Sequence, residues 1–239
     1  MTGSTARRLL IAAALVLAPL AVLSPARADV TGTTPQTLHF TSEPPTDAVV
    51  GYRYLYAVTA QSSSGLPVVY SGDPGSDVCS VANQEPFIYG NVSPDHAGTC
   101  TVYVDQPGND VYAPAPRITL RFQIGREATF LYPAKASKGV LGTSYTTFKA
   151  NLTQRGWFGP GYGAEFPYVG QTVVFRVGGK VMCAGTTVYV DDGSIFGAAT
   201  ATCRARIGLN LALRYTSYTA TYGGSRDYLP STATRRFGG

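Results

Sequence analysis

Histidine is nearly missing from this 239-residue chain, which has only His39 and His96. Charge is sparse as well: Asp, Glu, Lys and Arg make up 14% of the residues, and Trp157 is the sole tryptophan. No Gly-x-Ser-x-Gly elbow, His-Glu-x-x-His pair, phosphate loop or dinucleotide fingerprint occurs. A catalytic site needs a nucleophile, a base and a group that orients the base. His39 falls in a predicted strand. His96 lies in the turn-like "SPDHAG" beside Asp95, and adjacent side chains rarely face each other. Paired carboxylates can come from distant positions, so Glu43, Glu85, Glu127, Glu165, Asp191 and Asp192 are the acids to weigh. Most sit beside Pro or Gly in turns, which makes them solvated acids by default. "YVDDGS" lacks the regular acidic spacing of a calcium loop. The expectation is no enzyme, no cofactor and no metal.

Long apolar runs are also lacking, with one exception. Residues 9–23 (LLIAAALVLAPLAVL) follow Arg7 and Arg8 and precede an Ala-x-Ala ending at Ala28. That run contains Pro19 and is shorter than the roughly 17–25 residues of a membrane span. Residues 1–28 therefore read as a signal peptide cleaved before Asp29. No membrane span is expected after signal cleavage, and the mature chain is expected outside the cytoplasm, secreted or associated with the cell surface.

Cysteines number four, at 79, 100, 183 and 203, with no Cys-x-x-Cys spacing. An even count in an exported chain points to disulfides rather than zinc or redox chemistry. Three connectivities are open. The economical one pairs Cys79 with Cys100 and Cys183 with Cys203, each closing a loop worth roughly 3 kcal/mol in the entropy model.

The net charge of +5 hides an asymmetry. Residues 29–126 hold nine acids and four bases, net −5, while residues 127–239 hold five acids and twelve bases, net +7. Ordinary solvated surfaces account for this. So would attraction between the halves, or a basic second half that meets a polyanion.

What the chain does have is strand patterning and turns. In "RITLRFQI", Ile118, Leu120, Phe122 and Ile124 share one face. "YLYAVTA" places Tyr54, Tyr56, Val58 and Ala60 together, and "CTVYV" places Cys100, Val102 and Val104 together. In the second half, Val173, Phe175 and Val177 share a face, as do Thr216, Tyr218, Ala220 and Tyr222. "DDGSIFG" separates two strand-like runs into a hairpin flanked by Cys183 and Cys203. Turn-rich stretches such as "SSSGLP", "GDPGSD" and "QPGND" punctuate the strands. About seven short strands per half predict an all-β protein of two tandem antiparallel β-sandwiches. The expected boundary lies near Gly125, Arg126 and Glu127, giving units at 29–125 and 126–239 joined by a short linker.

The phrases "SGLPV", "VCSV" and "AGTCTVYVDQPGNDVYAPAP" carry a resemblance. Over residues 33–124 the chain resembles the bacterial immunoglobulin-like repeat of exported multidomain proteins. Over 169–233, "VGQTVVFRVGG", "CAGTT", "ATATC" and "YTATYGGSRDYLPSTA" resemble a different bacterial immunoglobulin-like subfamily. The resemblance implies two immunoglobulin-like sandwiches. It also gives a place to a phrase written twice, "GNDVYAP" at 108–114 and "GSRDYLP" at 224–230. Each is expected to be the last hairpin of a sandwich. Gly108 and Gly224 would permit the reversal, Tyr112 and Tyr228 would cover the end of the core, and Pro114 and Pro230 would start the final strand.

Family members lack the stretch "RGWFGPGYGAEFPY" at 155–168. It reads as an aromatic, Gly/Pro-rich insertion: a loop capping the sandwich, or an exposed platform for a sugar ring or a protein. The candidate ligand-binding residues are Arg155, Trp157, Phe158, Tyr162, Phe166 and Tyr168, with Arg176 or Lys180 as rim bases. The expected function is a secreted, non-catalytic binding, adhesion or spacer module. The alternative is a glycan-binding or cell-wall-polymer-binding protein that uses the 155–168 loop. Expected partners are an extracellular protein or glycan, or an anionic wall polymer met by the basic second half. Export argues against nucleic acid.

Overall fold

Alternating apolar and polar residues write most of the chain as strands, and each strand turns its apolar face inward. The structure, a computed structural model, describes residues 33–51, 56–83, 90–138, 144–157 and 163–238, without the side chains of 156, 157, 163 and 164. The signal-like segment lies outside the described residues. The fold is all-β with antiparallel sheets; one short helix is present among the described residues. No described helix is long and apolar enough to cross a membrane.

The first half carries β1 (Leu38–Phe40), β2 (Tyr56–Ala57), β3 (Ala60–Ser62), β4 (Val69–Gly72), β5 (Cys79–Val81), β6 (Asn91–Pro94), β7 (Gly98–Gln106) and β8 (Ala115–Ile124). They form sheets in the orders β1-β3, β2-β6-β5 and β4-β7-β8. Residues 56–60 of "YLYAVTA" pass from one sheet to another: Tyr56 and Ala57 pair with β6, whereas Ala60 pairs with Phe40 of β1. The core fills from both larger sheets: Val92 from one, and Val102, Val104 and Phe122 from the other. Cys79 on β5 and Cys100 on β7 form a disulfide, so the bond ties the two sheets together across their shared core.

The second half carries β9 (Thr129–Pro133), β10 (Tyr145–Trp157), β11 (Gly163–Pro167), β12 (Thr172–Val177), β13 (Lys180–Val190), β14 (Ala198–Arg206), helix α1 (Leu209–Arg214), β15 (Ser217–Tyr222) and β16 (Ser231–Arg236). The long β13 serves two neighbours in turn. Residues 180–186 pair with β12, and residues 187–190 pair with β14. β12 continues to β15 and β16, whereas β14 continues to β10. Cys183 sits where β13 pairs with β12, and Cys203 sits where β14 pairs with β10. Their disulfide bridges the strand that changes neighbours. Beneath it, Phe148, Phe175 and Tyr218 pack ring against ring in a second core, and the Tyr218 hydroxyl donates to the Ala134 carbonyl.

The repeated phrase builds the same turn twice. Gly108 and Gly224 both have positive φ, 80° and 85°. In the first copy the Asn109 side chain accepts the N–H groups of Val111 and Tyr112; in the second the Ser225 hydroxyl accepts those of Asp227 and Tyr228. Each turn receives a parallel bridge from the start of its own half, Thr34 to Tyr112 and Glu127 to Tyr228. Each also precedes a last strand that begins directly after its proline, β8 or β16.

The second copy also docks on the first half. Arg226 donates two hydrogen bonds to Asp77, at 2.7 and 2.6 Å. The Asp227 carboxylate accepts from the Ala97 N–H and from His96 Nδ1, both at 2.9 Å. His96 thus lies between Asp227 of the other half and Asp77 of its own, the latter 3.9 Å from Nε2. The linker is held from both sides. Gly125 bonds to Ala48 and Val50, and Glu127 bonds to Asp227 and Leu229, which leaves one residue, Arg126, between the two anchors.

Candidate functional site

β10 is the floor of the most distinctive surface. Phe148, Ala150 and Leu152 point into the core and are buried. By strand alternation, Tyr145, Thr147, Lys149, Asn151, Thr153 and Arg155 then point outward. Directly opposite residues share a face. Register therefore adds Arg206, Arg204, Thr202 and Thr200 from β14, and Tyr132 and Phe130 from β9 on the other edge. Glu165 of β11 faces Arg155 on the same side.

The two ends of this face differ in charge. At one end, Tyr145 is 54% exposed, with the Arg206 and Arg204 guanidinium carbons 4.8 and 5.5 Å from its ring centre. Lys149 is exposed two rungs along. No described residue forms a salt bridge with any of these three cations; the ion pairs among the described residues join Arg117 to Asp105, Arg226 to Asp77, and His96 to Asp77 and Asp227. β9, β10, β13 and β14 contain no acidic residue at all. At the other end, Glu165 supplies the acid. It accepts from the Tyr132 hydroxyl at 2.7 Å and from Thr153 at 2.6 Å. Donating to that carboxylate, with some burial, pushes the Tyr132 phenol above its ordinary pKa, so the hydroxyl remains a proton donor. Arg155 lies 5.7 Å over the Phe130 ring.

Of the residues expected to form one aromatic platform, the three with described side chains, Arg155, Phe166 and Tyr168, do not share one face. Where a loop was expected at 155–168, β10 runs to Trp157 and β11 starts at Gly163, so most of this stretch is a pair of hairpin arms. Arg155 is on the outer face. Phe166 is opposite Gln154, hence on the other face, with its ring 4.9 Å from Phe196. Tyr168 is half-buried, its ring 4.5 Å from Tyr228 and 5.9 Å from Tyr222, so it belongs to the core. Burial pushes the Tyr222 and Tyr228 phenols up to about 12. Trp157 pairs through its backbone with Gly163; its side chain, Phe158 and Tyr162 lie outside the described residues. Arg176 and Lys180 pair within β12 and β13, away from the β10 face.

Among the acids, Asp191 and Asp192 cap their own turn, accepting the N–H groups of Gly193 and Ser194. Glu127 is buried at the junction and accepts the Ala128 N–H. Glu85 lies outside the described residues. Tyr145, Lys149, Arg204 and Arg206 escaped the sequence reading. Their signal was the alternation in "YTTFKANLTQR" and "ATCRAR", with core residues at one parity and polar or cationic ones at the other. No protein-family model matches this chain, and no curated protein matches it.

Proposed function

We propose that the protein is an exported, non-catalytic binding module: two immunoglobulin-like units in series that offer the outer face of β9, β10, β11 and β14 to a partner outside the cell. The carrying observation is that face itself, a broad sheet surface with Tyr132 and Tyr145 half-exposed among threonines and an asparagine. Rings and hydroxyls held by a rigid sheet suit recognition of an extended partner. The resemblance to bacterial immunoglobulin-like repeats, the disulfide between sheets and the clamped junction support the same reading, because they favour a fixed display over a moving active site.

The alternative, a glycan platform on residues 155–168, is weaker, since Tyr168 packs in the core and Phe166 faces away from Arg155. The test is a retention assay of purified protein on isolated cell walls and insoluble polysaccharides, run beside glycosidase and peptidase substrate screens. Retention without turnover is expected. Turnover abolished by a single Asp or Glu change, or no retention on any surface, defeats the proposal. Loss of retention in Trp157→Ala alone would favour the alternative.

A further inference from the structure

The Tyr145 end of the outer face narrows the partner's chemistry. Arg204 and Arg206 are two residues apart on β14, on one side of the sheet, about 7 Å apart by strand rise. Lys149 follows on the next rung of β10, opposite Thr202. Three cations thus occupy three successive rungs. Like charges this close repel each other, and no described acid neutralises them. The acid of the sheet is at the far end, already engaged by Tyr132 and Thr153. Both guanidinium groups lie near the Tyr145 ring, an arrangement that orders the two forks while leaving them exposed at the surface.

We propose that this end binds an anionic polysaccharide, with Arg204, Arg206 and Lys149 meeting carboxylates of successive sugars and Tyr145 bearing on a sugar ring. This rests on the binding-module reading and names its ligand class. Arginine forks match planar carboxylates, and cations on successive rungs of two paired strands suit a linear polymer rather than a single ion. The surrounding Thr147, Thr202, Thr200 and Asn151 supply donors and acceptors for sugar hydroxyls. Single-stranded nucleic acid is the competing polyanion. It favours several stacking rings in sequence, and this end of the face offers Tyr145 alone among its described residues.

The test measures binding of the full mature chain to polygalacturonate, amylose and single-stranded DNA. Wild type is expected to prefer polygalacturonate and to lose about tenfold or more in affinity as salt rises from roughly 0.05 to 0.5 M. The double change Arg204→Gln, Arg206→Gln and the single change Tyr145→Ala are each expected to weaken polygalacturonate binding about tenfold. Arg117→Gln, on the first half, is expected to leave it unchanged. All these side chains are exposed, and unchanged melting curves verify folding of the variants. Wild-type affinity in the double variant overturns the proposal, as does tighter binding to DNA or to amylose. Retention on cell walls without polygalacturonate binding sinks this inference and leaves the binding-module reading standing; retention on nothing sinks both.

Discussion

Asp77 shows how much one surface side chain can depend on a residue far along the sequence. Its hydrogen bonds from Arg226, with the added attraction of that charge, lower its pKa from 3.8 to about 2. A carboxylate depressed in the folded state stabilises above its unfolded pKa, and the contribution is lost as pH falls through the folded value. Wild type is therefore expected to melt at a slightly higher temperature than Asp77→Asn at pH 5. Between pH 4 and pH 2 the gap closes. A gap that persists at pH 2 or widens on acidification contradicts the pairing. The turn glycines make a second comparison. A Cβ on Gly108 would lie 2.5 Å from the Tyr112 carbonyl oxygen, whereas on Gly224 the nearest atom is the Tyr228 carbonyl oxygen at 3.0 Å. Left-handed backbone alone costs a non-glycine residue about 1–2 kcal/mol. Both alanine variants should lose at least that in denaturant melts, and Gly108→Ala should lose more. The repeated phrase made these two glycines readable in the sequence; the partner of Asp77 was not, because 149 residues separate it from Arg226.

At the scale of elements, alternation was a sound guide wherever a strand buried one face. Leu120, Phe122 and Ile124, then Val173, Phe175 and Val177, all point inward as their spacing required. It failed where composition imitated a loop. Gly, Pro and aromatic residues at 155–168 read as irregular chain, yet residues 155–157 and 163–167 sit on paired strands, since a strand pairing needs backbone groups more than any side chain. The outer face was hidden for another reason: its cations come from strands more than fifty residues apart, and only register puts them side by side. The cystine pairs were legible from spacing, but the sheets they join were not. Each closes a loop of about 20 residues and is expected to stabilise by roughly 3 kcal/mol. Because each lies within one of two separate cores, Cys79→Ser with Cys100→Ser should lower one unfolding transition and leave the other in place. Calorimetry reads this directly; a single transition that shifts as a whole would mean the halves unfold as one.

For the whole molecule, the opposed charges of the halves find an outlet at their junction, where Asp77 and Arg226 meet across it. Exposed pairs are screened by salt. Arg226→Asp is expected to broaden the range of angles between the halves in solution scattering, and the charge swap Asp77→Arg with Arg226→Asp to restore it; a swap that behaves like the single change argues against the pair. The two closing turns also give the molecule a direction. In the second half, positions 226 and 227 grip the neighbour that precedes it in the chain. Their counterparts in the first half, Asp110 and Val111, are exposed, Val111 at 56%. One turn design thus does two jobs: a fastener in the second half, where Arg226 and Asp227 hold the first, and an open tip at Asp110 and Val111.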